Sequence, residues 1–238
     1  EVFNLYFDFI EGKGPRLRDY HLSIAEIAKT VSNEPMIETL SYVYDAISLL
    51  KSSLGSRPLI GFSGSPFTVA CYLIEKQSSK TFSSVKSLIE SDPSLFHSIL
   101  QALTEVTITH LSNQIKAGVN AVQIFDTWGS MLTDNDYHTF SFDYIHQIVQ
   151  AVQAFNVPII IYSKDTVNKL PSLIKLNTNV ISVDWNSSLD VLQQQYPMMA
   201  WQGNLNPHTL LESLPAALEE TKMICETMKD SPGFIFNL

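Results

Sequence analysis

Short apolar runs recur along the chain, and each of them stops in polar, turn-forming residues. The runs are PLIGF at 58–62, AVQIF at 121–125, PIIIY at 158–162, VISV at 180–183 and MMAW at 198–201. They are rich in β-branched residues and continuous rather than alternating, which is typical of parallel strands covered on both faces. A helical pattern follows each run. The chain therefore predicts a barrel of βα units, in which the functional groups lie at the C-terminal ends of the strands.

Two helices are predicted before the second apolar run. The first follows Pro35, and its apolar face is formed by Leu40, Val43, Tyr44, Ile47, Leu50 and Leu54. The second opens at Asp92 and Pro93, which have the residue types of an N-cap and a first helical position. Gly118 has the residue type that ends a helix, so we expect the second helix to stop there.

Two further helices are predicted from their start residues. Thr133 and Asp136 have the pattern of a capping box, and apolar residues at helical spacing follow them. Asn206 and Pro207 have the residue types of an N-cap and a first helical position. We expect the last helix to run without a break to about Lys229.

The count of strands indicates a barrel that this sequence does not contain in full. Six strands are predicted between Pro58 and Leu238, the last being FIFNL at 234–238. An eight-stranded barrel needs two more βα units, which we expect outside this sequence. Alternating apolar and polar residues up to Phe9 predict an edge strand or hairpin arm before the turn EGKGP at 11–15. We therefore expect one TIM-barrel domain over residues 1–238, incomplete at both ends.

Composition agrees with a globular domain that has a large core. The chain has 238 residues, of which 45% are hydrophobic and 16% charged, and its mean hydropathy is +0.07. A domain of this length buries roughly 70% of its unfolded surface, so it needs no disulfide or metal for stability. No apolar run approaches the ~20 residues that span a bilayer, so we expect no membrane partner. The distant Cys71 and Cys225 favour a reducing, cytoplasmic location.

The charge distribution argues against nucleic acid as a partner. The formal net charge is -9, and Arg16, Arg18 and Arg57 are the only arginines in the sequence. Affinity for nucleic acid comes from concentrated Lys and Arg that face phosphates. This sequence offers no such concentration.

Three common kinds of chemistry are poorly supported by the motifs. GFSGSP at 61–66 has neither the spacing of a dinucleotide fingerprint nor the lysine of a phosphate-binding loop. A nucleophile at Ser63 or Ser65 would need the G-x-S-x-G elbow, which fails by one position, so we interpret both serines as turn and N-cap residues. The six histidines have no zinc-ligand spacing, and we therefore predict no metal site.

Polar residues at the predicted strand ends are the remaining candidates for function. They are Asp126, Thr127, Lys164, Asp165, Asp184, Trp185, Gln202 and Asn204. Tyr72 lies two helical turns inside the segment after GFSGSP. Each has an ordinary structural explanation, since strand-end Asp and Thr often cap the next helix and a helical tyrosine commonly packs in the core. Together at one barrel mouth they predict a cofactor-independent enzyme.

Longer strings of residues identify a family. They are EGKGP at 11–15, GFSGSPFTVACYLIE at 61–75, AGVNAVQIFDTWG at 117–129, VDW at 183–185, QGNLNP at 202–207 and FIFNL at 234–238. In this order they resemble the uroporphyrinogen decarboxylase family over essentially the whole chain. The resemblance implies a distorted (β/α)8 TIM barrel, a homodimer and no cofactor. It also implies that the substrate is uroporphyrinogen III, whose acetate side chains become methyl groups to give coproporphyrinogen III in haem synthesis.

The residues can be related to that chemistry. Loss of carbon dioxide from a pyrrole acetate needs an electron sink, and protonation of the ring creates a cation that a nearby carboxylate stabilises. Carried over position by position, the resemblance assigns substrate binding to Tyr72 and Thr127. It places the catalytic aspartate and an arginine-bearing segment before Glu1, and a histidine after Leu238. We therefore expect no catalytic residue of the family within this sequence.

Two alternatives stay open. A zinc-dependent corrinoid methyltransferase resembles this family in fold and partly in sequence. Such an enzyme has His-x-Cys at the end of the strand matched by PIIIY, where this chain has Tyr162 and Lys164. The other alternative is a non-catalytic barrel that binds porphyrin or a partner protein.

Overall fold

The structure is a computed structural model, and it describes residues 7–10, 14–17, 23, 26, 38–76, 79, 81–231 and 233–238. Near its N-terminus, strands β1 (Phe7–Ile10) and β2 (Gly14–Leu17) pair antiparallel. The predicted hairpin arm before the EGKGP turn is thereby confirmed over Phe7–Ile10.

A parallel sheet of six strands is the centre of the fold. Its strands are β3 (Ile60–Gly64), β4 (Ala121–Asp126), β5 (Ile159–Ser163), β6 (Val180–Ser182), β7 (Ala200–Asn204) and β8 (Ile235–Asn237). Their order in the sheet is the order along the chain, and every neighbouring pair is parallel. The six strands form a half-barrel, so the predicted α/β barrel class is confirmed as a partial TIM barrel.

Helices connect the strands and cover the outer face of the sheet. They are α1 (Ser41–Leu54), α2 (Pro66–Glu75), α3 (Ser83–Ser91), α4 (Pro93–Ala117), α5 (Asp134–Tyr137), α6 (Asp143–Gln153), α7 (Thr166–Leu173), α8 (Leu189–Gln195), α9 (Pro207–Glu212) and α10 (Leu214–Met228). A π-helical turn, His138–Phe142, joins α5 to α6. Helix α1 confirms the helix predicted after Pro35 over the part that the structure describes.

The predicted helix ends are confirmed by their capping hydrogen bonds. Asp92 accepts a hydrogen bond from the Leu95 backbone N–H at 2.9 Å and caps α4. Gly118 ends α4 in the left-handed region with φ +115°, which favours glycine. Thr133 accepts a hydrogen bond from the Asp136 N–H at 3.3 Å, as a capping box requires.

The prediction of one unbroken last helix to Lys229 is wrong. The segment is divided at Ser213, where α9 ends and α10 begins. The Ser213 side chain accepts a hydrogen bond from the Ala216 N–H at 3.3 Å and thereby caps a new helix. Pro215 has no N–H to donate to the Leu211 carbonyl oxygen, so the hydrogen bonds of α9 do not continue through it.

The two faces of the sheet have different chemistry. The outer face packs against α4 and α6, and its fully buried residues are Val122, Ile124, Ile161, Ile181 and Trp201. Alternate residues on the same strands point to the inner, concave face. There Phe125 and Tyr162 have ring centroids 5.8 Å apart, and the Gln202 amide donates to the Gln123 side-chain oxygen at 3.2 Å.

A second hydrophobic core stands beside the ends of β3 and β4. It is formed by residues of α2 to α6, among which Phe67, Phe96 and Tyr137 are almost completely buried. This core fixes the helices that follow β3 and β4. In the part of the chain that the structure describes, no helix has the length and apolar character needed to cross a membrane.

Candidate functional site

Parallel pairing brings the C-terminal ends of the strands to one edge of the sheet. The register shows this directly, because Asp126 at the end of β4 lies beside Ser163 at the end of β5. Two groups of buried polar side chains occur at this edge. We call Ser65, Asp126, Tyr137 and Ser141 the Asp126 cluster. We call Thr166, Asp184, Ser187 and Asn204 the Asp184 cluster.

Asp126 is the centre of the first cluster and is completely buried. Its Oδ1 accepts hydrogen bonds from the Ser65 hydroxyl at 2.7 Å and the Ser141 hydroxyl at 2.9 Å. Its Oδ2 and the Tyr137 hydroxyl are both buried, and within the described part of the chain neither has a hydrogen-bond partner. A methyl group on Gly129 would overlap Oδ2 and lie 2.8 Å from Cγ of Asp126, so the site depends on glycine there.

Burial determines the electrostatics of this cluster. It raises the pKa of the Asp126 carboxyl, because the charged form loses its hydration. The hydroxyls of Ser65 and Ser141 and the charge of Lys169 lower that pKa by favouring the anion, but they do not cancel the rise. Burial also raises the pKa of Tyr137, and the nearby Asp126 carboxyl raises it further.

Helix α2 carries Tyr72 and begins within the Asp126 cluster. Ser65 is its N-cap and accepts a hydrogen bond from the Thr68 N–H at 3.1 Å, while Pro66 occupies the first helical position. This confirms the interpretation of Ser65 as a cap. Tyr72 is half-buried, with its ring centroid 6.1 Å from that of Trp128. In the described residues, its hydroxyl has no hydrogen-bond partner.

Thr127 and Trp128 form the turn that follows β4. The Thr127 side chain is half-buried, caps none of the described helices and has no hydrogen-bond partner among the described residues. The Trp128 N–H donates to the Thr68 hydroxyl of α2 at 3.3 Å. The Nζ of Lys164, which follows β5, lies 5.8 Å from the Trp128 ring centroid. Tyr72, Lys164 and the Thr127 turn therefore surround one indole ring.

The Asp184 cluster is a network of internal hydrogen bonds. The Asp184 carboxylate accepts from the Asn186 N–H at 3.1 Å, the Ser187 hydroxyl at 3.3 Å and the Thr166 N–H at 3.4 Å. Asn204 donates to the carbonyl oxygens of Asp184 at 3.0 Å and Ser187 at 2.7 Å. The cluster thus joins the turn after β6 to the start of α7 and the end of β7.

The polar residues predicted at the barrel mouth therefore divide into two kinds. Asp126, Asp184, Gln202 and Asn204 are buried and hydrogen-bonded within the protein. Solvent reaches the other members, which are Thr127, Lys164, Asp165 and Trp185. The accessible set, together with Tyr72, offers one ammonium group, hydroxyl donors and aromatic ring faces. Those groups can bind an aromatic ligand that carries carboxylates.

The strand-end pattern in the sequence does not point to Tyr137, Ser141 or Lys169 as members of the site. They lie on helices rather than at strand ends, although each is buried. Lys169 donates to Asp134 Oδ1 at 3.0 Å, and its Nζ lies 4.7 Å from the Tyr137 ring centroid. A serine within the apolar run FSF and a lysine beside Leu170 were the available indications, because both put a polar group on a buried helical face.

Metal-ligating side chains do not gather in the described part of the structure. It contains no group of three or more His, Cys, Asp or Glu residues that could hold an ion. At the end of β5, Tyr162 is half-buried beside Phe125, and Lys164 is exposed. Neither is a soft ligand for zinc.

Comparison with known proteins gives a consistent result. The family model "Uroporphyrinogen decarboxylase (URO-D)" matches residues 1–238. Uroporphyrinogen decarboxylase of Hydrogenovibrio crunogenus is 37% identical over 244 residues, which cover 100% of this chain and 69% of that protein. A protein of the same name from Neisseria meningitidis serogroup C is 36% identical, again covering 100% of this chain and 68% of its own length.

A solved structure shares the fold. A methyltransferase from Methanosarcina mazei superposes with a TM-score of 0.79 over 99% of this chain and 69% of that protein. Its sequence is 18% identical, so this likeness concerns the fold alone.

Proposed function

This chain belongs to the uroporphyrinogen decarboxylase family, and on that premise we propose that its protein decarboxylates the acetate side chains of uroporphyrinogen III. The product is coproporphyrinogen III, and the reaction uses no metal or organic cofactor. We further propose a homodimeric, cytoplasmic enzyme of haem and tetrapyrrole synthesis. The match of the family to every part of the chain supports this proposal.

The reaction consists of proton transfers and the cleavage of one carbon–carbon bond. Protonation of a pyrrole carbon makes the ring cationic, and the electron pair of the bond to the carboxylate carbon then flows into the ring. Carbon dioxide leaves, and protonation of the remaining methylene carbon, with loss of the first proton, gives the methyl group. A carboxylate stabilises the cationic intermediate. By resemblance to the family, we expect that aspartate upstream of Glu1.

The residues of this chain bind and orient the substrate. We assign the Tyr72 and Thr127 hydroxyls as hydrogen-bond donors to its carboxylates. Two observations support this assignment. The Tyr72 ring lies beside Trp128, and Thr127 lies in the same turn as Trp128. In the described part of the protein, neither hydroxyl has a hydrogen-bond partner. A hydroxyl in a half-buried residue that has no internal partner is free to bind a ligand. The Trp128 ring offers a face for a pyrrole, and Lys164 offers a positive charge nearby.

Removing each hydroxyl tests the assignment. In the full-length protein, Tyr72→Phe and Thr127→Val should each lower kcat/KM for uroporphyrinogen III by roughly one to two decades. A hydrogen bond to a charged carboxylate contributes about 1.5–3 kcal/mol, which corresponds to that change in rate. The melting temperature should stay close to that of the wild type, because no internal hydrogen bond is lost.

Two matched variants provide the controls. Tyr144 has a hydroxyl 2.6 Å from Nδ1 of His97, and the Thr104 hydroxyl donates to the Leu100 carbonyl oxygen at 2.7 Å. Tyr144→Phe and Thr104→Val therefore remove hydroxyls that have internal partners. We expect them to lower the melting temperature and keep kcat/KM per folded molecule. If Tyr72→Phe and Thr127→Val behave like these controls, the assignment of substrate binding is wrong.

Metal content tests the proposal against the methyltransferase alternative. The full-length enzyme should contain no stoichiometric zinc and should keep its full turnover in the presence of a chelator. One tightly bound zinc per chain, with activity lost on chelation, would overturn the proposed cofactor-independent decarboxylation.

A further inference from the structure

Three hydrogen bonds join the start of α2 to the end of β4. The Ser65 N–H donates to the Phe125 carbonyl oxygen at 2.8 Å, and the Ser65 hydroxyl donates to Asp126 Oδ1 at 2.7 Å. The Trp128 N–H donates to the Thr68 hydroxyl at 3.3 Å. The two segments joined in this way are those that carry Tyr72 and Thr127. The Asp126 carboxyl group, which accepts the hydrogen bond from the Ser65 hydroxyl, is completely buried.

We propose that Asp126 is a positioning residue, which holds Tyr72 on α2 and Thr127 after β4 in the arrangement that the substrate requires. This inference rests on the proposed function of that pair. Asp126 itself does not touch the substrate, because its side chain is completely buried. It acts through its two neighbours.

Asp126 Oδ1 is the one side-chain carboxyl oxygen in this connection, and the two backbone N–H groups donate to other atoms. Oδ1 fixes the Ser65 hydroxyl, and the same hydroxyl accepts from the Thr68 N–H and so caps α2. Tyr72 is four residues after Thr68, which places it one helical turn further along α2. On the other side, Thr127 is the residue after Asp126 in the chain. Movement of the carboxyl group would therefore shift one of these segments relative to the other.

The surroundings of Asp126 are built to hold one carboxyl group. The π-helical turn His138–Phe142 interrupts a helical segment and carries Ser141, whose hydroxyl reaches Oδ1 at 2.9 Å. Such turns insert an extra residue and occur frequently at functional sites. Gly129 leaves room for the carboxyl that any larger residue would fill. A regular α-helix would form its backbone hydrogen bonds without a π-helical turn. We therefore infer that the role of this turn is to place Ser141 against Asp126.

A double-mutant cycle tests the proposal. In the full-length protein, Asp126→Ala should lower kcat/KM for uroporphyrinogen III by up to about 100-fold, the cost of misplacing binding groups by about 1 Å. In the Asp126→Ala background, Tyr72→Phe should cost much less than it costs in the wild type, because the tyrosine is already misplaced. Equal costs in both backgrounds would overturn the proposal.

Two further variants separate positioning from general loss of structure. Asp126→Asn keeps an oxygen that can accept from both serines, so it should recover most of the kcat/KM that Asp126→Ala loses. Ser141→Ala leaves Asp126 in place and should show the same non-additivity with Tyr72→Phe on a smaller scale. If Asp126→Ala does not fold, Ser141→Ala replaces it in the double-mutant cycle. Its control is Ser187→Ala, which removes a serine hydroxyl from the other buried aspartate, Asp184. The cost of Tyr72→Phe should be unchanged in that background.

A structural measurement keeps this test independent of the proposed function. Fluorine NMR of the protein labelled with fluorotryptophan reports on Trp128, and a Trp128→Phe variant assigns the resonance. The resonance should move in Asp126→Ala and Ser141→Ala, and stay in place in Ser187→Ala. An unmoved resonance in Asp126→Ala would overturn the positioning role. A wild type that does not decarboxylate uroporphyrinogen would instead overturn the proposed function, while the NMR result would still decide whether Asp126 positions the turn.

Discussion

Asp126 and Asp184 are both buried at the same edge of the sheet, with 0% and 6% of their surface exposed, but they accept hydrogen bonds from different kinds of donor. Asp184 receives three donors spread over both carboxylate oxygens, and two of these donors are backbone N–H groups. Among the described residues, Asp126 receives two donors, both serine hydroxyls, and both on Oδ1.

The kind of donor indicates the role of each aspartate. Backbone N–H groups can only donate and are fixed by the fold, so Asp184 serves to hold the turn after β6 against α7 and β7. Serine hydroxyls rotate and can donate or accept. Oδ2 of Asp126 and the nearby Tyr137 hydroxyl have no hydrogen-bond partner among the described residues, so the Asp126 site tolerates a neutral group in a way that the Asp184 site does not. The Asp184 cluster is structural, and the Asp126 cluster adjoins the proposed substrate-binding residues.

The largest expected effect concerns the space around Asp126. Gly129→Ala should lower the free energy of unfolding by about 3 kcal/mol, the upper part of the usual range for overpacking. The added methyl group would overlap Oδ2 of Asp126 and lie 2.9 Å from Cε2 of Tyr137. Urea denaturation of the full-length protein measures this change.

The matched control is Gly55→Ala. An added methyl group there meets nothing within 4 Å, and the backbone at φ +61° is the only source of strain. With ψ −121° the residue lies outside the left-handed helical region, and its strain should cost about 2 kcal/mol. If Gly129→Ala costs no more than Gly55→Ala, the Asp126 site is not tightly packed, and the contrast with Asp184 loses its basis.

The next effect compares two isosteric changes. Asp184→Asn replaces a carboxylate oxygen by an amide NH2 that faces a donor, and should cost about 1–3 kcal/mol in the free energy of unfolding. In Asp126→Asn the retained oxygen accepts from Ser65 and Ser141, and the NH2 takes the place of an oxygen that has no donor among the described residues. That change should destabilise the protein by less than about 1 kcal/mol. The reverse order in denaturation experiments would contradict the distinction between the clusters.

The smallest expected effect is a pH dependence. Burial raises the pKa of Asp126 in the folded protein, so at intermediate pH the folded state keeps a proton that the unfolded state has lost. This contribution to stability is fully present below the ordinary pKa of an aspartate and is lost as the pH rises through the folded-state pKa. The free energy of unfolding of the wild type minus that of Asp126→Asn should therefore fall by up to about 1.4 kcal/mol per pH unit in that window.

Other charged or titratable groups face Asp126 but are common to both proteins in this comparison. They are Cys71 on α2, Tyr137 on α5 and Lys169 on α7. The difference between wild type and Asp126→Asn therefore isolates the aspartate. A difference that is constant with pH, or that rises with it, would show that the folded-state pKa of Asp126 is not raised.

The sequence allowed the strands and most helix ends to be predicted, because their causes are local. Asp92, Gly118 and Thr133 each act within a few residues, and apolar runs mark every strand of the sheet. The break at Ser213 is also local, and Ser213 with Pro215 could have indicated it. The long apolar pattern continues on both sides of Ser213, and for this reason it predicts one helix instead of two.

The contrast between the aspartates could not be predicted from the sequence. Both are Asp residues at the end of an apolar run, followed by aromatic and small residues. The donors that distinguish Asp126 come from Ser65, 61 positions away, and Ser141, 15 positions away. Ser141 lies in the π-helical turn His138–Phe142, which a periodicity of 3.6 residues does not predict. Tertiary contacts therefore decide which aspartate has which role.

Fluorine NMR of the full-length protein labelled with fluorotryptophan can show whether the substrate binds beside the Asp126 cluster. The protein has three tryptophans: Trp128 in the turn after β4, Trp185 after Asp184, and Trp201 buried on the outer face of the sheet. Titration with coproporphyrinogen, the proposed product, should shift the Trp128 resonance most and leave Trp201 unchanged. Tyr72→Phe should weaken that response. A titration that shifts Trp185 and leaves Trp128 in place would contradict the account.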